Sequence, residues 1–132
     1  MIPDAMTEGY LQKDHGWRTK RYCQIMELRD DAELIRRYVE AHSEEKARSI
    51  VLKGIREVGI EEMEVYLLGN RIVMIVDAPE DFNWDEAMAK LATLPGQAEW
   101  EAYVSQFQQC DANATSDQKW QMMTRIFHLY EK

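Results

Sequence analysis

Cysteine, proline and long hydrophobic runs are scarce in this 132-residue sequence. The two cysteines, Cys23 and Cys110, are too few and too far apart for a disulfide framework or a metal knuckle, so we expect reduced thiols in a cytoplasmic protein. The longest apolar run, residues 72–76, has the length of a strand and is too short to span a bilayer. Residues 1–6 lack the basic start and the apolar run of a signal peptide, so we expect none.

Basic residues are also in deficit, because 16 lysines and arginines face 24 aspartates and glutamates, a formal net charge of −8. Such a charge disfavours binding to a nucleic-acid backbone or to an anionic membrane. We therefore expect a small or neutral ligand, with no nucleic-acid and no membrane partner. The length corresponds to one domain, which buries roughly two-thirds of the surface of its unfolded chain.

The sequence motifs of nucleotide and hydrolase sites are missing. There is no GxGxxG, no GxxxxGK[ST] and no GxSxG, so neither a dinucleotide, a P-loop nucleotide nor a nucleophile elbow is indicated. The histidines, His15, His42 and His128, are too far apart to suggest a metal-ligand pair. A metal held by one histidine and carboxylates stays open, but we expect neither a metal nor a cofactor.

Alternating and helical apolar patterns are present along most of the chain. They predict strand 21–28, a helix capped at Asp30-Asp31 that runs to about residue 58, strands 63–68 and 71–77, helices around 85–94 and 100–107, and a last strand over 120–130. Gly59 is a natural stop for the first helix. Gly69-Asn70 is a two-residue turn of the kind that joins a β-hairpin.

The order β-α-β-β-α-β is the ferredoxin-like pattern, an α+β fold with helices on one face of an antiparallel sheet. We expect residues 20–132 to form this single domain and residues 1–19 to form an N-terminal extension. The strands at 71–77 and 120–130 are apolar on both faces, so the face without helices also needs a partner. A second copy packing sheet on sheet would supply it, which predicts a homodimer.

A phenol and an imidazole stand one helical turn apart in the first helix. Leu34, Tyr38 and His42 follow one another at i, i+4 and share a face that should point at the sheet. An imidazole with an unperturbed pKa of about 6.5 suits proton transfer in both directions near neutrality. The alternative is a core histidine with a satisfied hydrogen bond.

Seven short fragments occur in a defined order along the chain. They are Lys20-Arg21-Tyr22-Cys23, Tyr38-Val39-Glu40-Ala41-His42, Gly59-Ile60-Glu61-Glu62-Met63-Glu64-Val65-Tyr66, Leu68-Gly69-Asn70-Arg71, Glu99-Trp100-Glu101, Lys119-Trp120 and Arg125-Ile126-Phe127-His128-Leu129. In order and spacing the sequence resembles the L-rhamnose/L-fucose mutarotase family over roughly residues 20–130, and looks closer to the fucose-type branch. The resemblance implies a small, cofactor-independent aldose 1-epimerase with a dimeric ferredoxin-like fold of the α/β-barrel type.

The resemblance also implies a role for five residues. His42 matches the histidine regarded as the catalytic acid/base, and Tyr38 matches a tyrosine that hydrogen-bonds the sugar. Met63 stands where rhamnose-type members carry another site tyrosine. Tyr66 matches a tyrosine of the same strand, and Trp100 matches a tryptophan of the sugar pocket. The resemblance therefore implies a sugar site built from these five side chains.

One motif of the family is replaced in this chain. After the histidine the family pattern continues as H-x-x-x-W-P-E, whereas the W-P-E positions here hold Lys46, Ala47 and Arg48. An aromatic wall and a helix-kinking proline are therefore gone. Lys46 can still donate a hydrogen bond to a sugar hydroxyl, but it cannot stack on a sugar face.

Three functions follow as hypotheses. The first is an aldose 1-epimerase that interconverts the anomers of a deoxy-hexose such as L-fucose or L-rhamnose by acid/base ring opening. The second is a diverged, non-catalytic ferredoxin-like dimer that binds a small ligand or a partner. The third is an oxygen-handling monooxygenase on the same fold, which predicts binding of haem or of a quinone-like aromatic. The retained Tyr38 and His42 favour the first, and the lost W-P-E favours the second.

Overall fold

The computed structural model describes residues 8–43, 45–110, 114 and 116–130, without the side chains of residues 45–48, 116 and 117. Its elements are, in chain order, β1 (Thr19–Glu27), α1 (Ala32–Ala41), α2 (Glu45–Glu57), β2 (Glu62–Leu68), β3 (Arg71–Pro79), α3 (Trp84–Leu91), α4 (Gln97–Val104) with a 3₁₀ turn (Ser105–Phe107), α5 (Ser116–Lys119) and β4 (Gln121–Met122).

The strands form one sheet in the order β2-β3-β1-β4, and all neighbouring strands are antiparallel. β2 and β3 are joined by the predicted turn at Gly69-Asn70, where Gly69 has a left-handed φ of 62°. The predicted α+β class, with an antiparallel sheet of the ferredoxin-like kind, is confirmed.

The helices cover one face of this sheet, here called the inner face. Along β3 the inner side chains are fully buried and those of the opposite, outer face are half-buried, as the alternation of a strand requires. The buried set is Ile72, Met74, Val76 and Ala78. Together with Ile35 of α1 and Phe107 of the 3₁₀ turn, these side chains belong to one apolar core between the sheet and the helices.

Residues 8–18 lie along β2 and contact its outer face and Glu61, the residue before it. The contacts are Tyr10 with Tyr66 (5.7 Å between ring centroids), Gln12 Nε2 with Glu64 Oε2 (3.0 Å), His15 Nε2 with Glu62 Oε2 (3.1 Å) and Trp17 Nε1 with Glu61 Oε1 (2.8 Å). This part of the chain therefore covers some of the sheet face that the helices leave open.

The predicted first helix is wrong in its continuity, because the structure has two helices with a break at His42 and Ser43. The side chain of Asp31 caps α1 as predicted, accepting two N–H groups of the first turn. At the other end, the Ser43 N–H and hydroxyl both donate to the Glu40 carbonyl, at 3.0 and 2.8 Å. Such bonds compete with regular helical pairing, and the polar sequence here has no apolar stripe to hold a continuous helix on the sheet.

The predicted strand over 120–130 is wrong in its length. β4 covers Gln121–Met122, and one more ladder bond joins the Met123 N–H to the Cys23 carbonyl at 2.8 Å. Residues 123–130, here called the C-terminal segment, extend beyond the sheet and are exposed. An alternating pattern shows that a segment is able to pair, but it does not show that the segment lies against a strand in the fold. β4 pairs with β1 at Gln24 and Ile25, and among the described residues the rest of that edge of β1, from Thr19 to Tyr22, has no partner strand.

Candidate active site

A cavity of about 910 Å³ lies against the inner face of the sheet, between it and the helices α1, α2 and α4. This volume falls in the usual range for small-molecule sites, roughly 300–1,000 Å³. All five residues singled out from the sequence border the cavity: Tyr38, His42, Met63, Tyr66 and Trp100. Their geometry decides what chemistry the cavity can support.

His42 sits at the end of α1 with one of its ring nitrogens occupied. Nδ1 lies 2.8 Å from the carbonyl oxygen of Tyr38, and it must donate, because a carbonyl oxygen only accepts. Nε2 is then the basic nitrogen, and no described residue forms a hydrogen bond with it. Burial lowers the pKa of His42, while the bond to the Tyr38 carbonyl opposes that effect. The imidazole is therefore neutral near pH 7, with a lone pair available on Nε2.

Two aromatic rings enclose this imidazole. The ring centroid of Tyr38 lies 4.4 Å away at an interplanar angle of 54°, and that of Trp100 lies 5.2 Å away at 82°. Tyr38 precedes His42 by one turn of α1, whereas Trp100 comes from α4 and reaches the imidazole through tertiary packing. The two rings fix the orientation of the imidazole and give the cavity a flat apolar surface.

The Tyr38 hydroxyl keeps its proton at neutral pH. The side chain is 4% exposed, and burial raises the pKa of Tyr38 well above its ordinary value, although a hydrogen bond with Gln108 acts in the opposite direction. A protonated phenol both donates and accepts hydrogen bonds. Tyr38 is therefore suited to binding a hydroxyl group and unsuited to acting as a phenolate.

Met63 and Tyr66 lie on opposite faces of β2. Met63 is in register with Val76 on the inner face, and Tyr66 is in register with Val73 on the outer face. The Tyr66 hydroxyl donates to Glu64 Oε1 at 3.1 Å. Because β2 is an edge strand, Tyr66 still borders the cavity. The structure thus brings both Tyr38 and Trp100 into contact with His42, with Met63 in the wall and Tyr66 at the edge.

The sequence analysis missed the polar side chains of the cavity. Four of them are Gln24, Gln97, Glu101 and Gln108. Gln24 carried a signal, since it interrupts the apolar face that Tyr22 and Met26 form on β1. The other three lie in a helix or a loop, where a polar residue is common and does not indicate a cavity until the packing of the elements is known.

Glu101 is held in place by a buried ammonium group. Lys119 Nζ lies 2.9 Å from Glu101 Oε1, from the Glu101 carbonyl oxygen and from Ser105 Oγ. The Lys119 side chain is fully buried and the Glu101 side chain is partly exposed. These three hydrogen bonds use all three ammonium protons, and the ion pair fixes one carboxylate oxygen of Glu101 at the cavity wall.

Other features of the described residues bear on the range of possible functions. No three His, Cys, Asp or Glu side chains among them cluster as metal ligands would. None of the helices in the described ranges is both long enough and apolar enough to cross a bilayer. Cys23 and Cys110 are free. The side chains at the W-P-E positions, Lys46 to Arg48, lie outside the described residues.

The sequence and the fold both match known proteins. The L-rhamnose mutarotase family model matches residues 21–129. An L-fucose mutarotase of Xanthomonas campestris pv. campestris is 32% identical over 112 residues, which cover 85% of this chain and 90% of that protein. A UPF0734 protein of Dictyostelium discoideum is 29% identical over 114 residues, covering 83% and 90% respectively.

A solved structure has the same fold. The crystal structure of an L-rhamnose mutarotase from Formosa agariphila is 14% identical in sequence and has a TM-score of 0.63, covering 83% of this chain and 98% of that chain. At this identity the likeness concerns the fold, whereas the family model and the Xanthomonas protein concern the sequence. The resemblance stated from the fragments is confirmed, and the chain belongs to the L-rhamnose mutarotase family.

Proposed function

We propose that this protein is a cofactor-independent aldose 1-epimerase that interconverts the anomers of a deoxy-hexose such as L-fucose or L-rhamnose. One observation carries the proposal. His42 presents a neutral imidazole, whose Nε2 forms no hydrogen bond with any described residue, at a cavity large enough to hold a monosaccharide, between Tyr38 and Trp100. The family, and relatives named L-fucose mutarotase and L-rhamnose mutarotase, support the reaction and the class of sugar.

The chemistry requires one proton to move between two oxygens of the sugar. His42 Nε2 takes the proton of the anomeric hydroxyl and returns it to the ring oxygen as the bond between C1 and that oxygen breaks. The open-chain aldehyde turns about its C1–C2 bond, and the reverse steps close the ring on the other face. No electrons are gained or lost. Tyr38 stays protonated and hydrogen-bonds the sugar, because burial raises its pKa.

The remaining site residues bind and orient the sugar in this proposal. Trp100 offers an apolar surface to the sugar ring, and Met63 forms part of the inner wall. Tyr66 contacts the sugar from the edge strand. A neutral sugar also agrees with the charge of −8, which would repel an anionic substrate.

A homodimer in the cytoplasm completes the proposal. The outer face of the sheet is half-buried in one chain, and the C-terminal segment exposes Ile126 (95%), Phe127 (73%), Leu129 (71%) and Tyr130 (85%). A second copy is the partner of choice, because the same surfaces on both chains can cover each other. Light scattering at micromolar concentration tests this, with twice the monomer mass expected; a monomer mass would contradict the dimer. The free thiols favour the reducing cytoplasm.

The test of the activity is NMR saturation transfer between the anomers of L-fucose and of L-rhamnose. We expect wild-type protein to accelerate exchange, and His42→Ala to reduce the acceleration by about 10²- to 10⁴-fold, the usual contribution of a positioned acid/base. His15→Ala is the matched control, because His15 bonds to Glu62 on the outer face, and it should exchange anomers as the wild type does.

The same measurement also distinguishes the enzyme from the second candidate function, a non-catalytic binding protein. The replacement of W-P-E by Lys46-Ala47-Arg48 favours a diverged binding protein. Wild-type protein that leaves anomer exchange unchanged across a panel of deoxy-sugars would refute the enzyme and leave that alternative. Full activity in His42→Ala would refute only the role of the imidazole and would leave the proposed activity standing.

A further inference from the structure

A glutamine occupies the middle of an otherwise apolar strand face. Gln24 lies on the inner face of β1, between Tyr22 and Met26, and is 2% exposed. Its register partners are Met74 on β3 and Met122 on β4. A primary amide in these surroundings needs hydrogen-bond partners, because burial removes water from its polar atoms.

The amide oxygen of Gln24 lacks such a partner. Among the described residues, it is the one buried side-chain nitrogen or oxygen that forms no hydrogen bond. The other buried glutamines of the cavity do form bonds: Gln97 Nε2 donates to the Val51 carbonyl at 2.9 Å, and Gln108 bonds to Tyr38. Because an unpaired buried carbonyl destabilises a folded chain, packing alone does not account for a glutamine here.

Gln24 borders the same cavity as Tyr38, His42 and Trp100. The terminal torsion of a glutamine side chain is broad, so a small rotation directs the amide oxygen toward a bound molecule. A hydroxyl group is complementary to the amide, since it can donate to the oxygen and accept from the nitrogen. The position therefore suits a ligand rich in hydroxyl groups and leaves an apolar ligand without a bond to it.

We propose that Gln24 is a substrate-binding residue that hydrogen-bonds one ring hydroxyl of the sugar and thereby contributes to substrate selection. This rests on the proposed function, because it needs a sugar in the cavity. A buried amide selects for a hydroxyl-bearing ligand, since a ligand without that hydroxyl leaves the amide unpaired. Gln24 thus weakens the fold of the free protein and is satisfied when the sugar binds.

The first experiment compares stability with activity in Gln24→Met, which keeps the length of the side chain and removes both polar atoms. We expect a melting temperature equal to or higher than that of the wild type, because an unpaired polar group is replaced by an apolar one. We expect kcat/KM for anomer exchange of L-fucose and L-rhamnose to fall by about 10- to 100-fold. Gln24→Leu repeats the test with a second apolar side chain.

Met26→Leu is the matched control. Met26 lies on the same strand and the same inner face and is equally buried, but it does not border the cavity. It should retain wild-type kcat/KM. The contrast between the two positions separates contact with the sugar from a general disturbance of β1.

The second experiment identifies the bonded hydroxyl with monodeoxy derivatives of L-fucose. For the derivative that lacks this hydroxyl, wild type and Gln24→Met should exchange anomers at the same rate, and for the other derivatives the difference should persist.

Three results would overturn the proposal. They are Gln24→Met with wild-type kcat/KM, an equal loss on every monodeoxy derivative, and a lower melting temperature in both Gln24→Met and Gln24→Leu. Wild-type protein without activity on any of these sugars is a different result, because it refutes the proposed function and this inference with it.

Discussion

The inner and outer faces of the sheet differ in what their side chains contact. The inner face packs on the helices and borders the cavity, where a buried amide oxygen has no hydrogen-bond partner among the described residues. The outer face carries paired charges, such as Arg21 with Asp77 at 2.8 Å and His15 with Glu62 at 3.1 Å. The difference teaches that the same strands pair polar groups with each other on the outer face and place an amide without such a partner at a cavity on the inner face.

The largest expected effect concerns stability and uses two isoleucines of β3. Ile72 is 1% exposed on the inner face, and Ile75 is half-buried on the outer face. We expect Ile72→Ala to lower the free energy of unfolding by about 2–5 kcal/mol and Ile75→Ala by about 1 kcal/mol. Urea unfolding measures both.

The same pair also tests the proposed dimer. If a second copy covers the outer face, the cost of Ile75→Ala depends on protein concentration, because association contributes to its stability. A cost for Ile75→Ala equal to that for Ile72→Ala at every concentration would contradict the contrast between the faces.

The next effect concerns activity and uses two tyrosines. Tyr38→Phe removes the hydroxyl of a buried tyrosine whose ring contacts His42, and we expect kcat/KM to fall by about 10- to 100-fold. Tyr66→Phe removes the hydroxyl of an exposed side chain on the outer face of the edge strand, and we expect a loss of about twofold. Anomer-exchange rates give both values, and a larger loss in Tyr66→Phe would reverse the assignment of the main hydroxyl contact.

The smallest effect is a pH dependence of stability that arises from the inner face. Burial lowers the pKa of His42 below its value in the unfolded chain, about 6.5. Between the lowered pKa of the folded chain and about pH 6.5, the unfolded chain therefore binds more protons than the folded one. The contribution of His42 to stability is complete above about pH 6.5 and decreases as the pH falls below it.

Melting temperatures of the wild type and of His42→Gln between pH 5 and pH 8 test this effect. Loss of stability on acidification should be shallower in His42→Gln than in the wild type. Identical pH profiles would show that the buried imidazole does not contribute.

Much of the fold could be predicted, because its signals are local. The alternation of β1 and β3, the Asp31 cap and the turn at Gly69-Asn70 all appear in the structure as the sequence indicated. The break after α1 was missed, because the helical spacing of apolar residues resumes after it. The bonds from Ser43 to the Glu40 carbonyl cannot be recognised from that spacing. The last strand was extended too far, because alternation shows that a segment is able to pair and does not show that it does.

Part of the site could also be predicted, because some of its signals are local in sequence. The spacing of Tyr38 and His42 follows from one turn of a helix, whereas their contact with Trp100 depends on how α4 packs across the cavity. Gln108 bonds to Tyr38 of α1, and the ion pair of Glu101 and Lys119 joins α4 to α5. No local pattern indicates such partners.

The sequence by itself determined the ferredoxin-like order of elements, the family and the helical face that carries Tyr38 and His42, since each depends on spacing along the chain. Only the tertiary structure decided that Trp100 meets the imidazole, that Gln24 keeps an unpaired oxygen at the cavity and that the C-terminal segment leaves the sheet. The physical reason is that burial, hydrogen-bond satisfaction and strand pairing depend on neighbours distant in sequence, which are present only once the chain has folded.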